Sequence, residues 1–392
     1  MKLMPFALTI LLAICSLGCG MTNENAGSGE NLFITTLPAD VIYNATRDVK
    51  LGIESDFLLK AVKIANDGKE AIEVKSMTFT IFANEREIFS LIYRGEELNS
   101  FFGKYVEKFE KMTYDFQEGI FLGTTGFVDL KKSSKSAVIE PGQEAAIINI
   151  PFRFYADNPA TKCNIHIEFQ QGNKTFSRDL GLQVAEYVLK NKYIFPAKGI
   201  WMAINTYNAN YGHRVNSSQE FAFDLMIQKP NLMMYPPSGK NEDYGCWGKA
   251  VIASADGVVV DCVDGVPNNP PYLGSRLSKE ELEKVMEKFG AVAMAGGNYV
   301  ILEHSGSEFT FYAHLINGSV KVKKGDMVKQ GQVLGLCGNS GNSDAPHLHF
   351  HIMNGPSVLG SRGLPMKFTN LKDFMGGKIE QITDPNLVVL AE

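Results

Sequence analysis

The chain has 392 residues, more than one typical domain holds, and that length suggests two or three. Hydrophobic residues make up 45% and charged residues 21%, the balance of a globular protein with enough apolar material for a sizeable core. A formal net charge of -5, with no block of Lys or Arg, argues against a nucleic-acid binder.

Residues 1–19 read as an export signal: Lys2 supplies a positive start, and Met4 to Leu17 is an apolar run broken only by Pro5, Thr9 and Ser16. The run is too short and wrongly flanked for a membrane-spanning helix. It ends in Ser16-Leu17-Gly18-Cys19, which resembles the lipobox of bacterial lipoproteins, although Ser16 stands where leucine is usual. That resemblance implies a chain exported to the cell envelope and anchored to the membrane by a lipid on Cys19. Residues 20–30, rich in Gly, Ser, Asn and Glu, suit a flexible tether. The exported part holds Cys163, Cys246, Cys262 and Cys337, whose spacing forms no metal-finger pattern. Cys246 and Cys262 either pair in an oxidising compartment or remain buried thiols.

From residue 31 to 185 the pattern is β. Leu58 to Ile64, Ile72 to Phe82, Ala145 to Phe154 and Asn164 to Phe169 alternate as strands do, between turn signals such as Asn66-Asp67-Gly68 and Glu140-Pro141-Gly142. Short strands in series predict a β-sandwich, immunoglobulin-like in type. Glu97 to Gln117 has helical spacing and reads as an inserted helix. No catalytic constellation is visible in this half, and His166, alone in a strand, reads as structural. Spacing, binding or shielding of the C-terminal half is the expected role.

Residues 186–392 differ in texture, with more glycine and nearly all the histidines. Ile200 to Thr206 predicts a strand. In Phe221-Ala-Phe-Asp-Leu225, Asp224 falls on the small-residue side of an otherwise apolar strand and so needs a metal or a histidine as partner. Ala250 to Asp261 predicts a strand pair around Ala255-Asp-Gly257. Ser278-Lys-Glu-Glu281 is a capping box opening a short amphipathic helix with Leu282, Val285, Met286 and Phe289 on one face, expected to be an inserted surface element. Asn298 to His304 and Glu308 to Leu315 predict a hairpin across Ser305-Gly-Ser307, and Val320 to Leu336 a further meander.

The meander leads into a glycine and asparagine loop, then Pro346-His-Leu-His-Phe-His351, which carries three of the seven histidines. In a strand His347, His349 and His351 line one side while Leu348, Phe350 and Ile352 cover the other. A lone histidine in a strand is more often a satisfied core residue than a ligand; three in alternation make that reading a poor one. Zinc-hydrolase chemistry needs three protein ligands and an open position for water, with further groups to move protons and stabilise an oxyanion. The available set is His213, Asp224, His314, His347 and His349, which supplies a metal site and two spare imidazoles.

These elements together resemble the lysostaphin-type (M23 family) zinc metallopeptidases, which cut peptide bonds in peptidoglycan. The resemblance covers roughly Tyr193 to Phe368 and rests on ordered motifs: His213 with Asp224, Ala255-Asp-Gly257, Gly297-Asn-Tyr-Val300, Tyr312-Ala-His-Leu315, Gly331-Gln-Val-Leu-Gly335, Gly338-Asn-Ser-Gly341 and Pro346-His-Leu-His-Phe350. It implies an antiparallel β-sheet peptidase domain holding one Zn2+ on His213, Asp224 and His349. It also implies His314 and His347 in catalysis as acid/base and oxyanion stabilisers, with peptidoglycan peptides as substrate. Two features depart from the family. Ten residues, Arg214 to Phe223, separate His213 from Asp224 where three are common, and His351 stands where a glutamate is usual. His351 is then expected to support a ligand or reach the surface, and His304 to be structural. Tyr207 and Tyr211 precede the first ligand and either line the groove or simply pack.

Two other classes compete with this one. A non-catalytic regulator or binding module of the same fold, acting on cell-wall hydrolases, needs no complete ligand set. An iron oxygenase using the two histidines and the carboxylate leaves His314 and His347 without work.

Overall fold

The computed structural model describes residues 32–111, 116–207, 212–228 and 235–392, with the backbone alone at 105 and 116–118. The export signal at 1–19, Cys19, the tether at 20–30 and Tyr211 lie outside the described residues. The protein is mainly β. Among the described residues no helix is long and apolar enough to cross a membrane.

The N-terminal half contains β1 (Leu32–Leu37), β2 (Val41–Tyr43), β3 (Ala45–Val49), β4 (Gly52–Asn66), β5 (Ile72–Ala83), β6 (Arg86–Arg94), α1 (Gly95–Glu110), α2 (Phe116–Leu122), β7 (Val138–Ile139), β8 (Glu144–Ala156), β9 (Lys162–Gln171) and β10 (Lys174–Ala185). One sheet has the order β1-β4-β3 with β8 also on β4, and the other β2-β10-β9-β5-β6 with β7 also on β5. Both sheets contribute to one apolar core, which includes Phe57 and Leu59 of β4, Phe152 of β8, Met77 and Phe79 of β5 and Ile165 of β9. Where one inserted helix is expected from Glu97 to Gln117, α1 ends at Glu110 and α2 opens at Phe116, with residues 112–115 outside the described ones; Leu98 and Phe102 of α1 enter that core. His166 Nδ1 lies 2.8 Å from Asp179 Oδ1, a surface hydrogen bond across β9 and β10.

The C-terminal half contains β11 (Gly199–Asn205), β12 (Phe223–Met226), β13 (Ala250–Ile252), β14 (Gly257–Val263), α3 (Lys279–Gly296), β15 (Asn298–His304), β16 (Glu308–Leu315), β17 (Met327–Val328), β18 (Val333–Leu336), β19 (Leu348–Met353), β20 (Gly363–Leu364), β21 (Leu371–Asp373), β22 (Lys378–Ile379) and β23 (Val388–Ala391). The main sheet runs β17-β14-β15-β16-β19-β12-β11-β23-β21-β22, with β20 on β19. All its pairs are antiparallel. Apolar residues cover both faces of its centre. Val300, Leu302, Tyr312 and Phe350 pack on one face, and Tyr299, Ile301, Phe311 and Ala313 on the other.

Two local expectations are corrected, and one left open is decided. The strands flanking Ala255-Asp-Gly257 do not pair with each other: β13 pairs β18 in a separate two-stranded sheet, while β14 joins the main sheet beside β15 and β17. The helix opened by the Ser278 capping box runs to Gly296, longer than predicted, because Gly290 takes φ 82 and bends the chain rather than ending the helix. Nor is it merely a surface element, since Leu282, Val292 and Met294 line a cleft that also holds His213, His314 and His349. Cys246 and Cys262 do not pair; all four described cysteines are free thiols. Cys246 donates to the Pro346 carbonyl at 3.0 Å and Cys262 faces the Val322 carbonyl at 3.7 Å.

Candidate metal centre and catalytic cleft

Strand register brings the ligand-type residues together. Asp224 on β12 pairs directly with His349 on β19, and Asn205 on β11 pairs with Asp224 from the other side. Cross-strand neighbours on one face stand about 4.5–5.5 Å apart at Cβ, so a carboxylate and an imidazole there must meet. The His349 Nδ1 lies 3.0 Å from Asp224 Oδ1. His213 arrives separately, on the short 3-10 turn Gly212–Val215, and puts Nε2 at 2.7 Å from Asp224 Oδ2. The donor atoms of His213, Asp224 and His349 all lie within 4.8 Å of one another.

The chemistry of this donor set suits a zinc-type ion: two imidazole nitrogens and a carboxylate oxygen converge, and the opposite nitrogen of each imidazole is occupied. His213 donates from Nδ1 to Gln219 Oε1 at 3.1 Å, which leaves Nε2 available to a metal. His349 donates from Nε2 to Nδ1 of His351 at 2.9 Å, which leaves Nδ1. Burial, with His213 beside it, lowers His349 to about 4, against the pull of Asp224. Burial works to raise Asp224, but His213 and His347 outweigh it and hold the carboxylate well below its usual range. Neutral imidazole and ionised carboxylate are the states a metal requires.

His314 and His347 flank the centre with ring centroids 4.5 Å apart. His314, the penultimate residue of β16, has φ 63, in the left-handed region, and this breaks the strand alternation so that Ala313 and His314 both line the cleft. Its Nδ1 donates to the Ser340 carbonyl at 2.8 Å. Burial and the neighbouring His347 and His349 keep its ring neutral, well below the usual histidine range. His347 precedes β19, donates from Nδ1 to the Ala345 carbonyl at 2.8 Å, and sets Nε2 at 3.4 Å from Asp224 Oδ1. Burial opposes its protonation, yet Asp224 outweighs that and raises it.

The glycine and asparagine motifs build the support under these imidazoles. Asn298 donates to the Val266 and Leu315 carbonyls at 2.9 and 3.1 Å, and its backbone N–H donates to Ser340 Oγ at 2.9 Å. Gly341, at φ 71, lies so close to Gly297 that a Cβ there would stand 2.2 Å from the Gly297 nitrogen. Any larger residue would push the Ser340 carbonyl away from His314.

His304 bonds the Asp256 carbonyl and Thr310 Oγ1 at 2.7 and 2.8 Å, so both its nitrogens are satisfied away from the centre. Tyr207 is buried, with its ring against Phe221 at 5.4 Å, and does not line the cleft. His351 is fully buried rather than at the surface. Sequence reasoning missed Gln219 and Asn205, which contact His213 and Asp224 but carry no motif. It also missed Ile120 and Phe121 of α2, which wall the cleft from the N-terminal half.

The fold and the site thus define a mainly β protein with a two-histidine, one-carboxylate centre flanked by two further imidazoles. Residues 284–360 match the family described as Peptidase family M23, and the chain carries a domain of that family. The peptidoglycan DD-endopeptidase ShyA of Vibrio cholerae serotype O1 is 28% identical over 185 residues, 47% of this chain and 35% of that protein. Lysostaphin of Staphylococcus simulans is 48% identical over 59 residues, 15% of this chain and 12% of that protein. The matches therefore span about a third or less of the length of these relatives. Among solved structures, the crystal structure of a zinc-containing peptidase from Vibrio cholerae aligns over 82% of this chain and 86% of that chain, at 15% identity and a TM-score of 0.24.

Proposed function

We propose that the protein is a zinc endopeptidase of the cell envelope that hydrolyses peptide bonds in peptidoglycan stem peptides or cross-bridges. The observation that carries this reading is the clustering of all five chemistry-bearing residues: the donor atoms of His213, Asp224 and His349 lie within 4.8 Å of one another, His347 Nε2 stands 3.4 Å from Asp224, and the His314 ring lies 4.5 Å from that of His347, with the far nitrogens of His213, His314 and His347 already bonded and His213, His314 and His349 lining one cleft. His213 Nε2, an Asp224 oxygen and His349 Nδ1 would hold the ion. When bound, it supplies a Lewis acid and lowers the pKa of water toward about 7. His314, neutral with Nδ1 tied to Ser340, offers Nε2 as proton acceptor and later as donor to the leaving amine. His347, whose protonated form Asp224 favours, presents an N–H to the developing oxyanion.

In this reading residues 31–185 form an immunoglobulin-like sandwich, supported by the two sheets packed on one core and by β2 running parallel to β10 at the sheet edge. Residues 186–392 form the peptidase domain, and export with a lipid on Cys19 delivers it to the wall.

The test is to purify the chain, measure bound zinc and assay cross-linked peptidoglycan, with products read by mass spectrometry. Stoichiometric zinc and new peptide termini are expected; a metal-free protein that releases none would refute the proposal. His347→Ala separates enzyme from regulator, because a regulator keeps its cellular effect when that imidazole is removed.

A further inference from the structure

The cleft, about 550 Å³ in volume, is lined mainly by apolar and neutral side chains, among them Phe121, Leu282, Met294 and Asn342. Apart from the histidines, Arg276 is the one residue with an ionisable side chain among the described lining residues. It sits on the loop before α3, and that loop is pinned to the segment leading to His347: Gly274 N–H donates to the Asp344 carbonyl at 2.8 Å. Arg276 Nη2 donates to Asp344 Oδ1 at 2.5 Å, which fixes the plane of the guanidinium. Its other terminal nitrogen, Nη1, is buried and has no hydrogen-bond partner. Asp344 itself stands largely in solvent, with 67% of its side chain exposed, so it does not close off the fork.

A guanidinium presents its N–H groups in a rigid fork matched to two carboxylate oxygens. Here one arm is held by the protein and the other is withheld from water without an acceptor, inside a cleft of otherwise neutral lining. Such a donor is unfavourable until an acceptor arrives, and beside its ion pair with Asp344 the guanidinium still offers this N–H group to a second carboxylate. We propose that Arg276 is a specificity-determining residue that receives a free carboxylate of the bound peptide, so that the substrate is an acidic peptide rather than a neutral one. This rests on the endopeptidase reading above and assigns which peptides that cleft accepts.

The experiment uses the full zinc-loaded chain and a matched pair of cross-linked muropeptides, one with free carboxyl groups and one with the same carboxyls amidated. Wild type is expected to favour the acid by roughly 10-fold to 100-fold, chiefly in KM, the range that a charge-assisted hydrogen bond spans. Arg276→Gln should bring the acid-to-amide ratio near one with zinc content unchanged, and Arg276→Lys should restore part of it. A ratio that persists in Arg276→Gln, or a loss shared equally by both substrates, would overturn the assignment. Calorimetric binding of the same pair to wild type and Arg276→Gln gives an independent reading. Absence of cleavage by wild type sinks the endopeptidase proposal, whereas equal affinity for acid and amide sinks this one.

Discussion

His349 and His351 sit on the same face of β19, yet they have different work. The first turns Nδ1 to Asp224, and the second takes the hydrogen of its Nε2 at 2.9 Å while its own Nε2 stays buried without a partner. A histidine that bonds a ligand's far nitrogen fixes the ring's tautomer and direction, and losing such support costs about 10–100-fold in metal affinity. Replacing His349 with Ala should abolish both zinc binding and activity. Replacing His347 with Ala should abolish activity with zinc largely retained, because that ring lies outside the proposed ligand triad. His351→Phe, which fills the volume but offers no acceptor, should weaken zinc binding by about 10-fold or more in a chelator competition. An unchanged affinity would make His351 a packing residue. A separate residue-scale consequence concerns Lys60, buried on β4 with Nζ donating to the Arg214 carbonyl at 2.8 Å. Burial lowers it from 10.5 to about 7, with Glu220 pulling the other way. Between about pH 7 and 10.5 the unfolded chain therefore holds a proton that the folded one has released, so this group's contribution to stability rises with pH across that window. Thermal melts at pH 7 and 9.5 should show wild type gaining on Lys60→Met at the higher pH; parallel shifts would contradict the assignment.

At the scale of elements, the long loop from Arg214 to Phe223 acquires a reason. It carries the contacts that join His213 to the N-terminal half. Arg214, next to His213, is ion-paired to Asp56 of β4 and donates to the Tyr207 carbonyl at 3.0 Å. The Ser217 N–H donates to the Ile120 carbonyl of α2 at 2.7 Å. Glu220 is buried, and burial pushes its carboxyl up against the pull of Lys60. A loop with only three residues between ligands would have no room for these anchors. The Arg214–Asp56 pair is almost entirely sequestered, and removing one partner strands the other charge at a cost of about 3–5 kcal/mol. Asp56→Ala should therefore lower Tm by several degrees and also weaken zinc binding, since the turn bearing His213 loses its clamp. A variant with lowered Tm and unaltered zinc affinity would show that the turn is held by other contacts.

For the molecule as a whole, the N-terminal half does more than fill space. Ile120 and Phe121 of α2 line the cleft together with Leu282, Val292 and Met294 of α3, and Arg47 of β3 bonds Asp384 and Thr383 near the C-terminus, each at 2.6 Å. The two halves thus meet at these two places, and one of them lines the cleft that holds His213 and His349. Phe121→Ala should raise kcat/KM for bulky cross-linked peptidoglycan more than for a short peptide, with zinc content unchanged. Equal effects on both substrates would mean that α2 does not limit access.

Much of the centre was legible because its residues carry periodic signals. The alternation in His347 to Ile352, the Phe-Ala-Phe-Asp run and the capping box at Ser278 are local patterns, and local patterns survive without knowledge of the fold. The β character of both halves comes from the same alternation, and the glycines at 297 and 341 mark a backbone approach that tolerates no Cβ. What the sequence could not determine is which residues meet at long range. α2 reaches the cleft from another sheet system, and β13 leaves its neighbour β14 to pair with β18. Residue type and spacing set how each strand presents its side chains, but strand register and the docking of the two halves depend on contacts across more than a hundred residues. Only the tertiary structure decides those, because burial there couples groups that no local periodicity connects.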